Sequence, residues 1–207
     1  MKTFPYLLAL ASLFQSGIGA PHEELRPLRI RANTHEQPRP LRIRANTISP
    51  GEASQIHTVI VGGPQDLIVP NMILARVGDI VQFQFSNGNH TITEGIEGSG
   101  CQPLQKSNPL AIHSGHLPFK KGDQDVMIFN VPINDLNPRL LYCATGPHCQ
   151  TGQVAAINPR NGQQLVNYMK SCQQAKENVD AGSPSGGIVA KIPLENAAFI
   201  PAEPEGA

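Results

Sequence analysis

An all-β domain, a β-sandwich or barrel, is what this sequence predicts, and three observations lead there. Short β-branched or alternating runs recur between turn residues. Gly and Pro are heavy, 19 of each in 207 residues, and they interrupt the chain too often for long helices. Apolar residues at helical spacing are read only late in the chain, between Gly162 and Asn178, outside the run of strands.

Each element has its own reason. Residues 56–61 (IHTVIV) are β-branched and stop at Gly62-Gly63-Pro64. Residues 80–85 (IVQFQF) place Val81, Phe83 and Phe85 on one face and Gln82 and Gln84 on the other, the alternation of a half-buried strand. Residues 126–131 (VMIFNV), 140–144 (LLYCA) and 153–157 (QVAAI) are further runs, parted by turn signals such as Asn87-Gly88-Asn89 and Asn137-Pro138. Leu165, Val166, Met169 and Cys172 share helical spacing and predict a short C-terminal helix within residues 160–180. Residues 182–187 (GSPSGG) read as a linker, and residues 181–207 as a flexible tail. The sheet domain is thereby assigned to residues 55–159.

The N-terminal quarter reads differently. Lys2, an apolar stretch at residues 7–14 and small residues at 17–20 have the pattern of a secretory signal peptide, residues 1–20. Secretion places the remainder where disulfides persist. Next, RPLRIRANT at residues 26–34 recurs thirteen residues on, at 39–47. Six arginines against three glutamates give residues 21–48 a net charge of +3. From Ser49 onward nine basic residues stand against thirteen acidic ones, a net −4. A formally neutral chain thus conceals a basic arm on an acidic body. The prolines at 21, 27, 38 and 40 and the scarcity of large apolar residues predict disorder for the arm, residues 21–54. Its R-P-L-R element resembles the RxLR motif of one class of secreted pathogen effectors. Four residues with two fixed arginines recur widely in basic segments, so a solvated arm or pro-segment is the reading taken. Overall neutrality argues against nucleic acid as a partner. No apolar run approaches the roughly 18 residues of a membrane span. The acidic, Pro-containing end, residues 196–207, is unlike the hydrophobic tail of a GPI signal, so a soluble product is expected.

The chemistry concentrates in residues 142–154, YCATGPHCQTGQV. Cys143, His148 and Gln153 follow C-x4-H-x4-Q between two strands, and a thiolate and an imidazole so close can hold a metal with little backbone freedom left. A second imidazole is needed, and His90 lies just past the IVQFQF strand. Two His, one Cys and a weak axial ligand make a blue-copper site, in which Gln is an accepted axial ligand. Bound copper would keep Cys143 a thiolate despite burial. Read singly, His90 is a turn residue, Cys143 a buried strand cysteine and Gln153 a strand start; together and in order they favour copper.

On these residues the segment from about 56 to 159 resembles the cupredoxins, in particular fungal extracellular cupredoxin-like proteins related to plant phytocyanins. HTVIVGG, VGDIVQFQF, NHTIT, Cys101-Gln102-Pro103 and YC-x4-HC-x3-GQVAAINP carry the likeness, over about half of the chain. The resemblance implies a Greek-key cupredoxin β-sandwich and one type 1 copper, with His90 and His148 as the histidine ligands, Cys143 as the thiolate and Gln153 axial. Many members carry Met there; the stellacyanin branch carries Gln, a change of tuning more than of competence. It also implies a Cys101–Cys149 disulfide. The residues alone leave three pairings for four cysteines, and one of them, Cys143 with Cys172, would destroy the metal site.

His57 falls within a strand and is taken as structural. His113 and His116 are taken as solvated-loop residues rather than a surface metal pair. Asn89-His90-Thr91 is a glycosylation sequon, at Asn89. The function expected is one-electron transfer or copper handling outside the cell by a monomer that is not an enzyme, with its redox partner unidentified. The alternative is a copper-free cupredoxin scaffold acting at a wall or host surface, where the basic arm would meet anionic polysaccharide. A small secreted copper enzyme is a third.

Overall fold

The structure is a computed structural model that describes residues 53–63 and 65–201. The expected signal segment, nearly all of the basic arm and residues 202–207 lie outside the described residues. In chain order the strands are β1 (Ile56–Gly62), β2 (Leu67–Val69), β3 (Met72–Ile73), β4 (Ile80–Phe85), β5 (Gly88–His90) and β6 (Thr93–Ile96). They continue as β7 (Ser99–Pro103), β8 (Leu117–Phe119), β9 (Asp125–Pro132), β10 (Arg139–Tyr142), β11 (Val154–Ile157) and β12 (Ile188–Pro193). The helices are α1 (His148–Thr151) and α2 (Gly162–Gln173).

One sheet runs β12-β9-β4-β1-β2, a second β3-β11-β10-β6-β7, and β5 pairs with β8. Pairing is antiparallel except for β1 with β4 and β3 with β11. The sheets face each other across one core. Val59, Val61, Val81, Phe83, Phe85, Phe129 and Val131 fill it from the first sheet, and Leu141, Ala155 and Ile157 from the second. Alternation decides the opposite faces. Leu140, Tyr142, Val154 and Ala156 turn outward from the second sheet and are covered by Leu165, Tyr168 and Cys172 of α2. Asn161 caps that helix, its side chain accepting from the Gln164 N–H at 3.0 Å. Val166, at helical spacing in sequence, sits on the exposed side; Tyr168 takes the buried position.

Two expectations change here. Residues 181–207 are not all tail: β12 pairs with β9 over six residues, from Ile188 opposite Asn130 to Pro193 opposite Asp125. Ala190, Ile192, Leu194, Ala197 and Phe199 then cover Val126 and Ile128 on the outer face of the first sheet, together with Phe119 of β8. The physical reason is that Val126 and Ile128 alternate outward and need an apolar partner, which the segment after the GSPSGG stretch provides. The same cover explains Gln84, the polar-face residue of β4, which is buried. Its Oε1 accepts from the Ala198 N–H at 2.7 Å and its Nε2 donates to Gln82 Oε1 at 2.9 Å. Among the described residues no helix is long and apolar enough to cross a membrane.

Because β1 and β4 run parallel, both start at one pole of the sandwich and finish at the other. At the starting pole Asp79 is buried and accepts from the main-chain N–H groups of Gln55 and Arg76, each at 2.9 Å, with His57 Nε2 2.8 Å away. His57 is thus structural. Burial alone would raise the Asp79 carboxyl, but the hydrogen bonds from His57, Gln55 and Arg76 together outweigh it and lower it to about 2. A carboxyl lowered on folding contributes stability that is complete above its unfolded value near 4 and fades as pH falls toward 2. Asp79→Asn should therefore lower stability at pH 7 by about 1–3 kcal/mol and flatten its decline between pH 4 and pH 2. Chemical denaturation of both proteins across that range checks this; parallel pH curves would show that Asp79 carries no such linkage.

Candidate metal centre

The finishing pole gathers the predicted side chains. β10 and β11 end at Tyr142 opposite Val154, and the loop between them is closed by the Cys143 N–H donating to Gln153 C=O at 3.0 Å. Inside it the His148 N–H donates to Thr145 C=O at 3.1 Å, and the Gln153 N–H returns to His148 C=O at 2.9 Å, across the single turn of α1. This folds His148 and Gln153 back over Cys143. Cys143 Sγ lies 3.6 Å from His148 Nδ1, and Gln153 Oε1 lies 3.1 Å from the same nitrogen.

His90 arrives from β5 on the other side of the core. Its Nδ1 is 3.9 Å from Cys143 Sγ and 3.2 Å from Gln153 Oε1, and its ring centroid is 5.1 Å from that of His148. Its Nε2 donates to Asn87 C=O at 2.8 Å, which leaves the Nδ1 lone pair free for a ligand role. Two glycines make room for this ring. A Cβ on Gly62 would lie 2.5 Å from His90 Nε2, and one on Gly88 2.7 Å from the same atom. Both also have positive φ, at 101° and 108°, where a side chain would be strained. Sequence reading assigned these glycines to turns only.

His90, Cys143 and Gln153 are wholly buried, and His148 keeps a partly exposed edge. Burial pushes the His90 imidazole below its ordinary value, so it is neutral and able to donate a lone pair. Burial pushes the Cys143 thiol up, against hydrogen bonds from Thr91 and Thr145. The Thr91 N–H points at Cys143 Sγ from 3.3 Å, while Thr91 Oγ1 accepts from the Ala144 N–H at 2.7 Å. A thiolate at Cys143 would thus be partly stabilised by Thr91 and Thr145, and a cation would supply the rest.

Among the described residues, His90, Cys143 and His148 offer ligand atoms within 4.8 Å of one another. With nitrogen at about 2.0 Å and sulfur at about 2.3 Å from an ion, spread at 120°, nitrogen and sulfur would stand about 3.7 Å apart. The observed 3.6 and 3.9 Å bracket that value. Gln153 Oε1 adds a fourth, oxygen donor. Two imidazoles, a thiol and an amide oxygen fit copper better than magnesium or calcium, which take oxygen ligands.

The remaining cysteines lie just beneath. Cys101 in β7 and Cys149 in α1 form a disulfide, so the residue after His148 is tied to the second sheet. Cys143 and Cys172 are free and buried. The Cys172 sulfur lies within 4.8 Å of the disulfide sulfurs, not beside Cys143. His113 departs from expectation. It is buried rather than solvated, with Nδ1 3.0 Å from Thr93 Oγ1 and its main chain paired with Ser185. Those bonds satisfy its Nδ1 and main chain, and its Nε2 faces Asp180 Oδ1 at 3.8 Å, which together permit burial. His116 is exposed, with Nε2 2.9 Å from Asp180 Oδ2 and Nδ1 3.1 Å from Thr145 Oγ1. Asn89 is exposed on β5, with its amide 3.4 Å from His116 Nδ1.

No protein-family model matches the sequence. The "Probable GPI-anchored cupredoxin-1" of Arthroderma benhamiae is 31% identical over 141 residues, covering 65% of this chain and 70% of that protein. The "Extracellular serine-rich protein" of the same fungus is 34% identical over 134 residues, covering 64% of this chain. The chain spans half the length of that second relative. Among solved structures, a purple cupredoxin from Nitrosopumilus maritimus aligns with a TM-score of 0.37 at 16% identity, covering 49% of this chain and 96% of its own. A reduced auracyanin from Roseiflexus castenholzii aligns at 0.36 and 13%, covering 51% and 97%. The chain belongs to the cupredoxin family.

The cysteine arrangement has a direct consequence. A thiol reagent applied to the native metal-free protein should leave Cys143 and Cys172 unlabelled, and both should react once it is unfolded without reductant. In a Cys172→Ser background, which removes the free sulfur next to the bridge, Cys101→Ser should cost about 2–5 kcal/mol. Rapid labelling of Cys172 in the native state would contradict its burial, and an undiminished denaturation midpoint would contradict the role of the disulfide.

Proposed function

We propose that this chain is an extracellular type 1 copper protein serving one-electron transfer or copper handling. His90 Nδ1, Cys143 Sγ and His148 Nδ1 would hold the ion, and Gln153 Oε1 would stand as its weak fourth ligand. The observation that carries this reading is the convergence of two Nδ1 atoms, one Sγ and one amide oxygen, from two loops, at the spacing a single ion requires. Copper, when bound, supplies a one-electron couple.

The protein's own part is to hold the donors still and keep water away. Asn87 fixes the His90 tautomer, the Thr91 N–H meets the sulfur, and the closed Cys143–Gln153 loop leaves the donors little room to rearrange. On binding, the Cys143 proton is given up, and the partly exposed edge of His148 is the site's nearest approach to solvent. Gln153, wholly buried, would fill the fourth position from within the core and leave no open place there for a substrate. That favours electron transfer over turnover. Secretion is supported by the signal-like residues 1–20, by the disulfide and by the words extracellular and GPI-anchored in the two relatives' names.

Protein purified from copper-containing medium should hold one copper per chain and show the strong visible absorption of thiolate-to-copper charge transfer. Cys143→Ser should abolish that absorption. Gln153→Met should keep it and raise the reduction potential, because a thioether favours Cu(I) more than an amide oxygen does. Copper-loaded wild-type protein without the band would sink the proposal; a potential unchanged in Gln153→Met would remove Gln153 from the ligand set.

The duplicated basic segment favours a second role alongside the first, attachment to an anionic polysaccharide. Full-length protein should bind such a polymer at low salt and lose it as ionic strength passes about 0.1 M, where the Debye length is about 10 Å. A truncation lacking residues 21–47 should not bind. Equal binding by both forms would assign any attachment to the folded domain.

A further inference from the structure

Between α2 and β12 the chain runs back across the finishing pole rather than away from the domain. The Val179 N–H donates to Cys101 C=O at 3.0 Å, and the Tyr142 hydroxyl donates to Val179 C=O at 2.5 Å. The Gly182 N–H donates to Gln105 Oε1 at 2.6 Å, and Ser185 and His113 exchange main-chain bonds in both directions. Asn178 stands where this strap meets the loop that carries the proposed ligands. Its Nδ2 donates to Cys143 C=O at 2.9 Å and to Gly146 C=O at 2.8 Å, which engages both amide hydrogens. The loop segment between Cys143 and His148 is therefore tied on two sides. Thr91 Oγ1 takes the Ala144 N–H, and Asn178 takes the two carbonyls.

We propose that Asn178 is a positioning residue for the His90, Cys143, His148 and Gln153 site. It acts through the backbone, clamping the carbonyls of Cys143 and Gly146 so that Cys143 Sγ and His148 Nδ1 hold their 3.6 Å separation before any ion arrives. Supporting groups of this kind decide how tightly a constellation keeps its geometry, because each ligand side chain is only as fixed as the backbone beneath it. The consequence for copper rests on the proposed function, while the clamp itself rests on geometry alone.

Asn178→Asp keeps the shape but turns the donor into a carboxylate oxygen facing two carbonyl oxygens; Asn178→Ala removes the donor without adding charge. Asp79→Asn is the comparison, since it weakens the sandwich at the opposite pole and touches nothing in the loop. In full-length metal-free protein, both Asn178 variants should speed amide hydrogen exchange in residues 144–153 by about tenfold or more, with β4 and β9 unchanged. Asp79→Asn should leave the loop amides as in wild type. After copper loading, both Asn178 variants should shift the thiolate-to-copper band and release copper to a chelator about tenfold faster, and Asp79→Asn should do neither. Loop exchange at the wild-type rate in both Asn178 variants, or exchange raised evenly over the whole domain, would overturn the proposal. A wild-type protein that takes up no copper would refute the functional reading, and the metal-free exchange comparison would still decide the clamp.

Discussion

Cys143 and Gln153 face each other where β10 and β11 end, and the bond from the Cys143 N–H to Gln153 C=O, at 3.0 Å, is what the rest of the site depends on. It closes a loop whose ends belong to two adjacent strands buried on both faces, Arg139 apart. Between fixed ends the chain turns through α1, so that Gln153 returns beneath His148 and both side chains lie over the Cys143 sulfur. The disulfide from Cys149 to Cys101 then fixes the turn to β7. The opposite strand end brings His90, with its ring set between two glycines and its tautomer held by Asn87. No donor depends on a free loop.

The sandwich separates two tasks. At the starting pole Asp79 collects the main-chain groups of Gln55 and Arg76 and stabilises the fold. At the finishing pole the polar groups are arranged around Cys143 instead. Two outer layers make this possible. α2 covers the second sheet and seals the disulfide, and the segment from β12 to Phe199 covers the first. Burial from both sides removes water from the donor atoms, which lowers the basicity of His90 and raises the thiol of Cys143. Such a site resists protonation of the imidazole and leaves the thiolate to be stabilised by a cation.

Much of this was legible in the sequence because it is periodic or local. Val81, Phe83 and Phe85 announce their strand by alternation, and Cys143, His148 and Gln153 announce the loop by spacing. What was not legible depends on pairing between distant segments. Gln84 reads as a solvent-facing residue because nothing local shows that Ala198 will bond to it. Residues 188–193 follow a Gly- and Ser-rich stretch and read as tail, yet their hydrogen-bonding partner lies on β9. His113 looks solvated because its partners, Thr93 and Ser185, are far from it in sequence. Gly62 and Gly88 were visible as turns, but their closeness to His90 exists only in three dimensions. Asn178, between a helix and a linker, carries no pattern at all.

The central claim is that one ion sits among His90, Cys143, His148 and Gln153, and the nearest test is X-ray absorption at the copper edge of loaded, full-length protein. The account predicts a first shell with one sulfur and two imidazole nitrogens. A shell without sulfur would contradict it, and so would a shell of two or three sulfurs, which would place the ion among Cys101, Cys149 and Cys172 instead.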